Sequence, residues 1–150
     1  MVVIDTDVLL LAFAFHRDKR QTINNIFLEN VQSADPAITI YNLMETLGKL
    51  SFNFSSDHLT NWSTWLVDAY QLTIIWPLHP EINLDGLSLY EELYARPFSK
   101  MRRYGMPFLD ALILNLAERT DGVTHFVTWN ARHFQGKSKL AIVTPEDYLQ

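Results

Sequence analysis

Four oxygen-bearing side chains stand where the sequence passes from one kind of segment to the next. Asp5 follows the apolar run Val2 to Ile4, Glu45 lies one turn into an amphipathic segment, Asp110 heads an apolar run, and Asn130 follows a β-prone run that ends at Thr128. Carboxylates brought together repel, and a hard divalent cation that prefers oxygen, Mg²⁺ or Mn²⁺, relieves that repulsion. A cation held by few carboxylates keeps open positions for water and phosphate, so the chemistry available to such a cluster is phosphodiester hydrolysis. The nucleophile is then water, not a side chain.

Each residue also has a local explanation. Asp7 can cap the segment that begins at Val8, and Glu45 can be the second half of a capping box begun by Asn42. Asp110 is harder to account for, because a carboxylate within Phe108-Leu109-Asp110-Ala111-Leu112-Ile113 is costly to bury unpaired. A favourable charge at a helix N-terminus is its simplest alternative.

The elements that must position these residues alternate. Val2 to Ile4 is too short for a helix and suits a buried parallel strand. A short apolar stretch follows from Val8 to Phe15, then a polar turn from His16 to Arg20, then helical spacing in Ile23, Ile26, Phe27 and Val31, until Asp35-Pro36 stops it. Ala37 to Ile40 is a second strand, followed by a helix bearing Leu43, Met44, Leu47 and Leu50. Ser56-Asp57 opens a helix through Tyr70 with Leu59, Trp62, Leu66 and Ala69 on its inner stripe. Leu72 to Trp76 is a third strand, closed by Pro77 and Pro80. A helix is expected from Leu84 to Ala95, then a basic loop from Arg96 to Met106, with Pro107 as the first residue of a buried helix through Ala117. Val123 to Thr128 and Ala141 to Val143 complete five strands. The pattern predicts a three-layer α/β/α sandwich with a mainly parallel sheet, spanning residues 1–150 as one domain. Ligands in such sheets bind beyond the carboxyl ends of the strands, where Asp5, Tyr41-Asn42 and Thr128 to Asn130 lie.

These motifs resemble those of the PIN domain family. The resemblance is carried by Val3-Ile4-Asp5-Thr6-Asp7, by Glu45 within Tyr41 to Leu47, by Phe108-Leu109-Asp110-Ala111, by Phe126 to Phe134, and by the ending Thr144 to Leu149. It implies a metal-dependent ribonuclease, most like a VapC-type toxin with a cognate antitoxin protein as partner and RNA as substrate. On that pattern Asp5, Glu45 and Asp110 are metal ligands, Thr128 and residue 130 complete the site, and Thr6 and Asp7 support the first ligand. Asn130 departs from the pattern, which often has an acid there. An amide offers a carbonyl oxygen but no charge, which weighs against a second metal.

Composition sets the limits. A 150-residue chain with 48% hydrophobic and 19% charged residues is an ordinary globular composition, and the absence of cysteine removes disulfides and thiolate sites and suits a reducing cytoplasm. The apolar N-terminal run is interrupted by two aspartates and reads as neither signal peptide nor membrane span. A net charge of −5 denies the chain an overall positive field, so any RNA contact must be local. Arg102 and Arg103, with Arg96 and Lys100, are the candidates in the basic loop, and Arg132 is a second candidate phosphate contact near Asn130. Tyr104 in that loop is a weaker candidate for base stacking. Trp62, Trp65, Tyr70 and Trp76 read first as core. Trp62 and Trp65 share a helical face that suits a homodimer or an antitoxin groove. His16, His58, His79, His125 and His133 show no metal-ligand spacing.

Three rivals share parts of this pattern. A haloacid-dehalogenase-like phosphatase also opens on Asp-Thr-Asp after a first strand, but needs a distant Lys and a closing acidic pair that are not found. A receiver-type phosphorylation module needs an aspartate after strand three, where Trp76-Pro77 stands. A catalytically inactive PIN fold serving as a binding scaffold is kept open by Asn130.

Overall fold

A computed structural model of the chain describes residues 1–14, 18–52, 54–77 and 86–150. The expectations for Phe15, His16, His79, Pro80 and Leu84 fall outside these residues. Five short strands, β1 (Val2–Ile4), β2 (Pro36–Thr39), β3 (Thr73–Ile75), β4 (His125–Val127) and β5 (Ala141–Val143), form one parallel sheet in the order β3-β2-β1-β4-β5. The chain builds outward from the central β1 in one direction and then returns to its other side. The strand order therefore reverses between β1 and β4, the position at which open α/β sheets form a crevice at their carboxyl edge.

Alternation along each strand divides the core between the two faces. Ile4, Ile38 and Val127 point to one side, where α1 (Thr6–Ala14), α2 (Gln21–Asn30), α3 (Ile40–Leu50) and α4 (Ser56–Tyr70) supply Val8, Leu9, Phe27, Leu28, Leu43 and Leu66. Val3, Ala37, Phe126 and Ile75 point to the other, against Ala111, Ile113, Leu114 and Ala117 of α7 (Phe108–Arg119). The sandwich read from the sequence is the architecture observed. Two short helices, α8 (Ala131–Phe134) and α9 (Pro145–Tyr148), follow β4 and β5.

Several local expectations are corrected. The basic stretch after Ala95 is not a loop: α5 (Gly86–Tyr90), a wide turn over Glu91–Ala95 and α6 (Arg96–Tyr104) run on as one helix. In that wide turn the Arg96 N–H donates to the Glu91 carbonyl, five residues back. It immediately precedes Pro97, whose ring cannot be accommodated by a regular turn and whose missing N–H has no bond to give. Pro97, Met101 and Tyr104 face inward, and Gly105 at φ +59° ends the helix in the left-handed conformation that glycine adopts without strain.

Pro107 is the cap of α7 rather than its first residue. The capping box of α3 is Thr39 with Asn42, not Asn42 with Glu45, since Thr39 is the last extended residue and Asn42 falls three positions into the helix. On α4, Ala69 is exposed, as is Trp65 at 49%, whereas Trp62 is buried. Trp76 lies beyond β3 and is 59% exposed.

Candidate functional site

Asp5, Thr6, Asp7, Glu45, Lys49, Asp110, Asn130 and Phe134 line a cleft of about 150 Å³ at the carboxyl edge of the sheet. The carboxylates come from four places: the end of β1, the first turn of α1, the second turn of α3 and the first turn of α7. The end of β1 is fixed by the Asp5 N–H, which donates to the Val127 carbonyl of β4 at 2.9 Å.

Asp5 is held from two directions. Its Oδ1 accepts the Thr6 N–H at 2.8 Å and Asn42 Nδ2 at 3.1 Å. Asn42 is fully buried and its own Oδ1 accepts from the Thr39 backbone N–H and Oγ1, so the capping box of α3 also orients a donor onto Asp5. The sequence places Asn42 at the carboxyl edge and in a cap, but not as a donor to Asp5; an asparagine opening a helix directly after a strand was the available signal.

Thr6 Oγ1 donates to Glu45 Oε2 at 2.7 Å, tying α1 to α3. The other Glu45 oxygen pairs with Lys49 Nζ at 2.7 Å, one helical turn on. Asp110 Oδ2 lies 3.2 Å from His133 Nε2 of α8 without an aligned hydrogen bond between them. Lys49 and His133 were not among the expected site residues. Lys49 was legible as the i+4 partner of Glu45, whereas the reach of His133 to Asp110 is made by the tertiary fold.

Asp7 does not cap a helix beginning at Val8. It sits inside α1, and its carboxylate accepts Thr128 Oγ1 at 3.0 Å and the N–H groups of Trp129 and Asn130 at 3.2 and 3.1 Å. It clamps the turn between β4 and α8 onto the end of β1. Trp129 extends the clamp through its indole N–H to Asn24 at 2.7 Å, with Arg20 above the ring. Thr128 is fully buried in this network, so its hydroxyl serves Asp7 and offers no surface to a substrate. Asn130 is exposed and on the cleft wall.

The remaining expected residues lie elsewhere. Arg132 faces an adjoining hollow with Trp129, Gln135, Thr144, Glu146 and Asp147 that shares only Asn130 with the cleft. Arg102 and Arg103 are exposed on α6 and do not line the cleft; Arg102 leans over Phe98. Phe13, Phe54, Trp62 and Trp65 line a separate aromatic hollow of about 720 Å³.

The electrostatics follow from confinement. Burial pushes the Asp5 carboxyl up to about 8, and the charges of Asp7 and Glu45 add to the shift. Burial also raises Asp7, against the hydrogen bonds from Trp129, Thr128 and Asn130. Asp110 is raised by burial and pulled back by His133. The donors are all oxygen, and Asp5 retains a proton at neutral pH unless positive charge arrives, so donor type and charge fit a hard divalent cation. As arranged, no three acidic or histidine side chains among the described residues stand close enough to share one ion. Glu45 is instead paired with Lys49, and Asp110 lies against His133.

No protein-family model matches the chain, and no curated protein matches it. Among solved structures, the chain is similar to one in the crystal structure of VapBC2 from Rickettsia felis bound to a DNA fragment from their promoter. The two share 19% sequence identity and a TM-score of 0.63 over 95% of this chain and 97% of that one. At that identity the likeness is one of fold.

Proposed function

We propose that this chain is a ribonuclease dependent on Mg²⁺ or Mn²⁺, of the PIN type, acting in the cytoplasm as the toxin of a type II toxin–antitoxin pair. The observation that carries the proposal is the cleft itself: carboxylates from four elements gathered at the strand-order reversal of a parallel sheet. The fold likeness to VapBC2 supports the reading and suggests an antitoxin as the protein partner, for which the aromatic hollow beside Trp65 is the candidate seat, as it is for a second copy of the chain. No helix among the described residues is long and apolar enough to cross a membrane.

In this reading Asp5, Glu45 and Asp110 hold the cation, and Asn130 presents a neutral oxygen beside them. Bound there, a divalent cation acidifies a water and stabilises the charge that develops on a scissile phosphate. Asn42 and Thr6 keep Asp5 and Glu45 aimed into the cleft. Asp7 sets the position of Asn130 by holding its backbone. Lys49, paired with Glu45, and His133, against Asp110, stand beside the cleft, where each would meet the phosphate of a bound strand.

Incubation of RNA with the protein in Mg²⁺, in Mn²⁺ and in EDTA tests the proposal. Cleavage is expected with either cation and lost in EDTA and in Asp5→Asn. Cleavage that persists in both would refute it. The pairing of Glu45 with Lys49 and of Asp110 with His133, together with the uncharged Asn130, favours one second reading, a binding scaffold without catalysis. RNA bound but left intact in both cations selects that reading.

A further inference from the structure

A second groove lies along α7, away from the carboxylates. It has a volume of about 570 Å³ and gathers Arg96, Lys100 and Arg103 from α6 with Lys137 and Lys139 from the loop after α8, over a floor containing Asn115 and Glu118. Five of the chain's twelve lysines and arginines thus meet in one place on a protein of net charge −5. Gly136, at φ +73°, makes the turn that brings the two lysines round.

Internal partners do not balance this charge. Glu118 neutralises Lys100 at 2.8 Å, and Arg96 lies within 3.3 and 3.7 Å of Glu92 and Glu91. Among the described residues, Arg103, Lys137 and Lys139 have no carboxylate partner. Cations facing one another across a groove focus a positive field into it and raise the local concentration of anions. An ordinary solvated surface disperses such charges instead.

The groove is joined to the acidic cleft in two ways. Along α7, Asp110 lines the cleft and Glu118 the groove, eight residues or about 12 Å further on. Along the segment after β4, Phe134 lines the cleft and Gly136 the groove. A strand with its scissile phosphate at the carboxylates would have to follow α7 for about 12 Å for its flanking phosphates to meet the groove that Arg103, Lys137 and Lys139 line. The aromatic residue of the groove, Tyr104, is flanked by Lys100 at 5.5 Å and Arg103 at 5.1 Å from its ring, so its face is not open to a base. The groove offers point charges and hydroxyls without an apolar anchor of the kind that dominates protein interfaces. That favours a nucleic-acid backbone over an acidic protein segment.

We propose that this groove is a phosphate track for single-stranded RNA, with Arg103, Lys137 and Lys139 as its contacts. It rests on the ribonuclease reading for the identity of the strand, and not for the existence of the site. Arg102 lies outside the track, against Phe98.

The test is anisotropy of a labelled single-stranded RNA dodecamer in EDTA, titrated at several salt concentrations with wild type and with Arg103→Ala/Lys137→Ala/Lys139→Ala. A single strand releases about 0.7 counterion per neutralised phosphate, so three lost contacts should flatten the slope of log affinity against log salt by about 2. Binding at about 0.1 M salt should weaken about 100-fold relative to an extrapolation at about 1 M. The charge-conserving pair Lys137→Arg/Lys139→Arg should keep the wild-type slope, and Lys19→Ala should change neither quantity. Cleavage of a dinucleotide, too short to reach the groove, should be unaltered in the triple variant. If the wild type cuts RNA and the triple variant binds the dodecamer with unchanged slope, the track is wrong and the ribonuclease stands. If binding depends on the three residues but no RNA is cut with either cation, the track stands and the ribonuclease fails. An acidic peptide of matched charge that binds more tightly than RNA overturns the track in favour of a protein partner.

Discussion

Replacing Asp5 with Asn should stabilise the metal-free protein and remove much of the pH dependence of its stability. Asp5 is 8% exposed, and burial with the charges of Asp7 and Glu45 lifts its carboxyl from 3.8 to about 8. Between these values the native state keeps a proton that the unfolded chain releases, so folding loses stability as pH rises. One proton of difference costs about 1.4 kcal/mol per pH unit. From about pH 5 to about pH 7 the wild type should therefore lose on the order of 2 to 3 kcal/mol through this group. Asn retains the Oδ1 that accepts from Thr6 and Asn42, so the substitution removes the titration while keeping both hydrogen bonds. Urea denaturation of wild type and Asp5→Asn in EDTA at the two pH values reads the Asp5 titration together with the response of Asp7, whose charge acts on it, while Asp110 and Glu92, whose shifts do not involve Asp5, titrate in both proteins. The wild type should fall by about 2 to 3 kcal/mol more than the variant. Saturating Mg²⁺ should shrink that difference, since a cation holds the carboxylate ionised in the native state. Parallel losses in EDTA, within about 0.5 kcal/mol, would show that Asp5 ionises freely in the folded protein and refute the electrostatic account of the cleft.

Three further outcomes are expected. Asp110→Asn should abolish Mg²⁺-dependent RNA cleavage while circular dichroism and thermal stability stay near wild type; a folded variant with full activity removes Asp110 from the mechanism. Asn130→Asp adds a carboxylate on the cleft wall and should tighten Mg²⁺ or Mn²⁺ binding in a calorimetric titration, without a matching rise in activity because fewer positions stay open to water and phosphate; equal affinities place Asn130 outside the cation's reach. Thr39→Val removes the buried hydroxyl that bonds the Asn42 N–H and side chain, and should cost about 1–2 kcal/mol in urea denaturation; an unchanged midpoint would show that α3 does not depend on its capping box.

The residues legible in the sequence are those whose position is decided by local periodicity. Asp5 and Asn130 follow strand ends and Asp110 heads a helix that runs back along the sheet, and a parallel sheet sends those junctions to one edge. Glu45 followed because it lies one turn beyond another of them. The five strands were legible for the same reason, β1 and β5 with their observed bounds and the other three with ends displaced by one or two residues. What escaped was decided between elements distant in the chain. Asp7, which the family resemblance places in support of the first ligand, reads from its local position as a cap, yet its carboxylate is used 121 residues away at Thr128. Thr128 reads as a site residue because it ends a strand, and is lost to the surface by that same bond. His133 has no histidine partner at ligand spacing, and meets Asp110 only because α8 folds back over the cleft. The basic stretch from Arg96 failed differently. Pro97 disfavours the helical conformation of the residue before it, and the short rule therefore predicts a loop. The protein instead widens one turn ahead of the proline and keeps the helix, because Pro97, Met101 and Tyr104 bury a stripe against α7. That stripe, at positions i, i+4 and i+7, was in the sequence, and weighing it against the proline would have recovered the helix. It also moves Arg96, Lys100 and Arg103 from a loop beside the carboxylates to the wall of a separate groove, so the proposed phosphate track and the acidic cleft are two sites that can be mutated independently.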